Sequence, residues 1–74
     1  MPIYQILGRK AQLVSFPDGD DKVLPSRTVF QANSRNVSVK RLLRMKPPAC
    51  RELRGDEIPV EFRPQDILVV LDDE

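Results

Sequence analysis

The sequence predicts a small α+β domain, mainly β: a small antiparallel sheet or half-open β-barrel with one short helix, about 36–45, inserted between strands. Three observations predict it. Short β-prone runs fill the first thirty-two residues, helical spacing occurs once, and seven prolines with three glycines punctuate the chain. Leu, Ile, Val and Phe occupy 23 of 74 positions, too many for a chain disordered by composition. The length allows a single domain, 1–74, whose acidic end 72–74 reads as flexible or partner-bound. A domain of this size buries only about 60% of its unfolded surface, so oligomerisation is its expected support.

The elements follow in order. Pro2 to Leu7 and Lys10 to Phe16 are short apolar stretches separated by Gly8-Arg9, and read as two strands. Phe16-Pro17-Asp18-Gly19-Asp20-Asp21 joins a fixed proline φ to an Asp-Gly pair, the chemistry of a hairpin loop. Lys22, Val23 and Leu24 should return against the preceding strand. Pro25-Ser26 breaks the run before Thr28 to Ala32, completing an expected meander. Asn33, Ser34 and Asn36 are N-capping types, and Val39, Leu42 and Leu43 follow at i, i+3 and i+4 with Lys40, Arg41 and Arg44 opposite. This helix must stop before Pro47-Pro48. A strand is expected within Cys50 to Arg54, and Gly55-Asp56 turns the chain onward. Ile58, Val60 and Phe62 alternate with Pro59 and Glu61 and predict an edge strand with one buried face. Ile67 to Leu71 predicts a more buried strand.

Composition also excludes chemistry. With no histidine and Cys50 as the only cysteine, one chain cannot hold a Cys-His zinc site, a Cys-His nucleophile pair, a Ser-His-Asp triad or a disulfide. The carboxylates Asp18, Asp20 and Asp21 sit in a turn, and Asp72, Asp73 and Glu74 follow the last apolar run; neither group has apolar walls to shift its pKa. The Asp18–Asp21 turn lacks the later bidentate Glu of a calcium loop. No catalytic residues, cofactor or metal ligands are therefore expected, and the chain reads as a non-enzyme. Asn36-Val37-Ser38 reads as a helix start rather than a glycosylation acceptor, and Cys50 as a small buried hydrophobe. Met1-Pro2-Ile3 begins no signal-peptide pattern, and the longest apolar run, Ile67 to Leu71, falls far short of the ~20 residues of a membrane span. Synthesis and residence in a reducing cytoplasm are expected, without membrane contact.

Charge is segregated along the chain. Residues 35–54 set seven cations against Glu52, a net of +6, whereas residues 55–74 set seven carboxylates against Arg63, a net of −6. Three readings follow: complementary contact between protein surfaces, phosphate contact by the basic helix, and a solvated face partly neutralised within the molecule. Phosphate contact is the less favoured partner reading, because the acidic block repels phosphate and the three phenylalanines read as core rather than as stacking platforms.

The run Val23-Leu24-Pro25-Ser26-Arg27-Thr28-Val29-Phe30-Gln31-Ala32, then Val37-Ser38-Val39-Lys40-Arg41-Leu42-Leu43-Arg44 and Cys50-Arg51-Glu52-Leu53, resembles small proteins of tailed-bacteriophage structural gene clusters. The resemblance covers about residues 22–54. Ser26 stands where that pattern usually carries the glycine of a positive-φ turn. The resemblance implies a virion protein of capsid-associated, decoration, head-completion or head–tail joining type, made in the host cytoplasm and working in many copies. Its implied partners are capsid or portal-region proteins and other copies of itself, with nucleic acid as the alternative. The residues expected to contact a partner are Arg35, Lys40, Arg41 and Arg44 on the basic side, and Glu61, Asp66, Asp72, Asp73 and Glu74 on the acidic side. Strand addition at the Pro59 edge is a further expected route.

Overall fold

A computed structural model describes residues 1–70. The described residues form a small α+β domain, mainly antiparallel β, with a four-stranded and a two-stranded sheet, one short helix and no closed barrel among them. The elements are β1 (Ile3–Ile6), β2 (Gln12–Ser15), β3 (Asp21–Leu24), β4 (Thr28–Gln31), α1 (Val37–Arg44), β5 (Cys50–Glu52) and β6 (Ile67–Val69), with a 3₁₀ turn over Gly55–Glu57. The four-stranded sheet runs β5-β1-β4-β6, and β2-β3 form a separate hairpin.

The first thirty-two residues are therefore not a meander. β1 skips the hairpin and pairs with β4, Tyr4 opposite Phe30, and on its other side with β5, Tyr4 opposite Glu52. The reason lies in the side chains. Tyr4 and Phe30 meet at 5.8 Å between ring centroids, and Phe16 packs edge-on against Phe30 at 6.5 Å. Setting the hairpin over the sheet lets Val14 and Leu24 join Tyr4, Ile6, Phe30, Val39, Leu42 and Cys50 in one core, with Phe16 and Ile67 packed at its margin. A flat meander would leave that apolar face open to water.

The turns show why these links are possible. In the hairpin loop the Gly19 N–H donates to the Phe16 carbonyl at 3.0 Å, with Gly19 at φ +84°, a conformation in which a Cβ would be strained. Between β3 and β4 the Pro25 carbonyl accepts from the Thr28 N–H at 3.2 Å and from the Thr28 hydroxyl at 2.6 Å. The left-handed residue there is Arg27, at φ 73°, one position after Ser26. That is the third position of a turn starting at Pro25, where a type II turn takes positive φ. Ser26 instead donates its hydroxyl to the Gly8 carbonyl, and the Arg27 N–H donates to the Ile6 carbonyl at 3.0 Å, so this turn ties to the end of β1.

Helix α1 forms where capping chemistry and apolar spacing coincide. The Asn36 side chain accepts from the Val39 N–H at 3.1 Å, while Val39 and Leu42 are fully buried. Arg41 and Arg44 lie in the last turn, complementing the negative end of the helix dipole. Leu43, expected to share the buried stripe, is 38% exposed. The Asn36 amide also donates to the Ser15 carbonyl at 2.7 Å, and the Ser38 hydroxyl accepts from the Ser15 N–H at 3.1 Å, which fastens the helix start to β2. Asn36→Ala removes the cap and this tether together. It is expected to lower stability by about 2 kcal/mol, the upper part of the range for cap loss, read as a lower urea midpoint; Asn36→Asp, which keeps the cap acceptor, should fall between.

Two expected strands are corrected. Residues 58–62 form no strand: the Phe62 N–H donates to the Pro59 carbonyl at 3.0 Å, closing a turn that leaves Val60 fully exposed while Ile58 and Phe62 are half-buried. The Asp66 N–H then donates to the Arg63 carbonyl at 2.8 Å in a second turn through Pro64. Prolines with preset φ favour these turns, and the alternation of apolar letters is overridden. With no strand there, no Pro59 edge exists; the open edges of the sheet are β5 and β6. The last apolar run is likewise not a more buried strand. β6 pairs only with β4, Ile67 and Leu68 are half-buried and Val69 is 42% exposed. Leu71, and with it the acidic end 72–74, lies outside the described residues. Of the three phenylalanines, only Phe30 is fully buried.

Candidate functional site: a cationic face

The carboxylates nearest the basic segment are partly consumed inside the molecule. Glu57 accepts from the Arg51 guanidinium at 2.6 Å and from the Arg54 N–H at 2.9 Å, with the Arg54 side chain at 3.9 Å. Arg51 also reaches the Gln5 side chain at 3.4 Å, so the 3₁₀ turn is clamped against β5 and β1. The Arg51 hydrogen bond, aided by that of the Arg54 backbone, holds the Glu57 carboxyl below the usual carboxylate range. A folded-state pKa below the unfolded one gives stability that is present above the ordinary Glu value of about 4.3 and is lost as pH falls through the lowered value. Glu57→Gln should therefore flatten the acid limb of urea midpoint against pH below about pH 5, and a limb of unchanged slope would refute this assignment. Neutralisation within the molecule thus accounts for Arg51 and Arg54.

It does not account for the helix. Val39 and Leu42 point into the core, which turns Lys40, Arg41 and Arg44 to the other side, where with Val37 and Met45 they line a shallow groove. Val37 is 80% exposed and Met45 39%, so the groove has an apolar floor and a cationic rim. Met45 also borders a second groove, formed between the β1–β2 link and the segment after the helix. Its cations are Arg9, Lys10 and Lys46, and its floor includes Leu7, Pro47, Pro48 and Ala49. The Lys46–Pro47 peptide is cis. The Ala49 N–H donates to the Leu42 carbonyl at 2.9 Å and the Leu7 N–H to the Ala49 carbonyl at 2.8 Å, so the helix end, the proline segment and the end of β1 are joined. No carboxylate lines either groove, and among the described residues none of these six cations forms an ion pair.

The expected contact residues are thus only partly assembled. Lys40, Arg41 and Arg44 lie together. Arg35 stands apart in the loop before the helix, where its N–H donates to the Asn33 side chain at 2.8 Å. Glu61 is exposed in the turn after Pro59. Asp66 lies in a different depression, with Asp18, Asp20 and Lys22 of the hairpin tip, where Lys22 is 3.6 Å from Asp20. Asp72, Asp73 and Glu74 lie outside the described residues. Arg9, Lys10 and Lys46 were not expected at the site. Lys46 belongs to the basic segment, but the grouping of Arg9 and Lys10 with it depends on tertiary contacts and has no local sequence signal.

The remaining chemistry-bearing groups are placed as follows. Cys50 is 1% exposed, and burial pushes its thiol up to about 11. Burial likewise raises the Tyr4 hydroxyl, with Glu52 and Cys50 adding to the effect. Among the described residues no cluster of three or more His, Cys, Asp or Glu side chains could hold a metal ion, and no helix is long and apolar enough to cross a membrane. Comparison of the chain with protein-family models, curated proteins and solved structures finds no match.

Proposed function

We propose that this chain is a non-enzymatic structural subunit of a tailed-phage particle. In this reading it binds capsid or head–tail proteins through its cationic helix face and stabilises or joins them. The observation that carries the binding role is the rim of Lys40, Arg41 and Arg44, without an ion-pair partner among the described residues, around the exposed apolar side chains Val37 and Met45. Water-exposed apolar surface bounded by charge of one sign suits a protein segment that brings both apolar groups and carboxylates. The virion assignment comes from the resemblance of residues 22–54 to phage structural proteins.

One observation favours a second reading, phosphate contact. The carboxylates of the described acidic block lie outside both cationic grooves, so they do not screen this face at close range. The exposed apolar floor weighs toward protein.

The test is whether the chain travels with particles. Virions released from the host that encodes it are purified on a density gradient, and the chain is quantified against the major capsid protein by mass spectrometry. A fixed ratio across the particle peak is the expected result. Its absence from gradient-purified particles overturns the assignment.

A further inference from the structure

Beyond that reading, and resting on it, we infer that in the free protein, before a capsid or head–tail protein takes the helix groove, that groove receives the acidic run Asp72-Asp73-Glu74 of a second copy of this chain. The run is the densest negative charge in the sequence and directly follows the apolar residues Ile67 to Leu71. Apolar residues followed by three carboxylates complement an apolar floor bounded by Lys40, Arg41 and Arg44.

The topology sets this run apart from the groove of its own copy. β6 and β5 are opposite edges of the sheet, three strand spacings or about 14 Å apart. Helix α1 packs against β5 and β2, and its groove faces away from the core. Crossing the sheet and then a helix of about 10 Å diameter requires well over 20 Å. Residue 74 is four residues beyond Val70, within about 14 Å of it even when fully extended. This separation favours a donor from another molecule over the chain's own end.

The register shows how two copies can satisfy each other. Val69 lies opposite Thr28, at the end of the sheet where Ile6 lies opposite Cys50. The helix terminus is tied to that same end through Ala49. Val69, near the end of the described chain, and the helix terminus beside the groove thus lie toward one end of the molecule. Two copies related by a two-fold axis can exchange both contacts at once, which closes the assembly as a dimer.

The test is solution mass by light scattering behind a sizing column, from ~0.05 to ~1 M salt, over which the Debye length falls from above ~10 Å to ~3 Å. The parent is expected at twice its 8.5 kDa mass at low salt and at 8.5 kDa at high salt. The triple variant Asp72→Asn, Asp73→Asn, Glu74→Gln should be monomeric throughout, with an unchanged circular dichroism spectrum. Two inverted variants provide the decisive arm: Lys40→Glu, Arg41→Glu, Arg44→Glu in one, and Asp72→Lys, Asp73→Lys, Glu74→Lys in the other. Each alone should be monomeric, and an equimolar mixture should dimerise, because each then offers what the other lacks. A parent monomeric at every salt concentration overturns the inference, as does a dimer that survives neutralisation of residues 72–74. A monomer that binds a labelled DNA duplex through Arg41 and Arg44, with affinity falling linearly in log–log salt, overturns it in favour of phosphate. Presence in virions with a monomeric parent fails this inference alone. A dimer absent from virions fails the functional reading alone.

Discussion

Phe30→Ala should unfold the domain at room temperature. Phe30 is completely buried on a central strand, against Tyr4 on β1 and Phe16 at the start of the hairpin loop, so it joins the sheet to the layer above it. Phe→Ala in a packed core costs about 3–5 kcal/mol. A chain of this length has a total stability of only about 4–11 kcal/mol on the usual per-residue scale. The loss therefore consumes much or all of the margin. The expected signature is loss of near-UV circular dichroism and of a cooperative urea transition. Phe30→Leu, which keeps most of the volume, should fold with a lowered midpoint. A cooperative Phe30→Ala transition within 1 kcal/mol of the parent, on a scale where such core losses are about 3–5, would show that the two layers are joined elsewhere.

Arg41→Glu with Arg44→Glu should have the opposite profile: an intact fold and failed incorporation. Neither side chain has an ion-pair partner among the described residues, and both stand opposite the buried Val39 and Leu42. The stability change is expected to be small, about 0.3–1 kcal/mol, chiefly from placing negative charge at the negative end of the helix dipole. At the partner surface the change is from attraction to repulsion, with a like-charge penalty of several kcal/mol. Particles assembled with the double variant should lose it from the density-gradient peak by at least about tenfold, the effect of each 1.4 kcal/mol of binding free energy. Arg41→Lys with Arg44→Lys should be retained. Incorporation of the double Glu variant at the parental ratio would remove this face from the binding role.

What could be read from the sequence was what local chemistry decides. The helix was visible because Asn36 caps it, Val39 and Leu42 repeat at helical spacing and Pro47-Pro48 ends it. The hairpin was visible because Pro17-Asp18-Gly19 suits the loop that forms. Pairing between distant strands was not visible, since β-prone runs look alike whichever neighbour they take. The placement of β1 between β4 and β5 depends on Tyr4 meeting Phe30, a contact across 26 positions. The segment 58–62 misled because alternating letters imitate a strand when prolines are selecting turns. The cationic site divides the same way: Lys40, Arg41 and Arg44 follow from helical periodicity, whereas Arg9, Lys10 and Lys46 reach them through the proline segment and the end of β1.

The central place of β1 bears on how the protein is made. Of the six described strands it is synthesised first, yet one neighbour is built from residues 28–31 and the other from 50–52. The strand that closes the far edge is 67–69. A nascent chain therefore holds Tyr4 and Ile6 without their full set of partners until residues 50–52 have followed, and the four-stranded sheet closes only once 67–69 are made. Such long-range pairing slows folding relative to a helical protein of equal length and leaves apolar segments open to other nascent chains. High-level expression should accordingly yield more soluble protein at lowered temperature, where synthesis slows and fewer unfinched copies coexist.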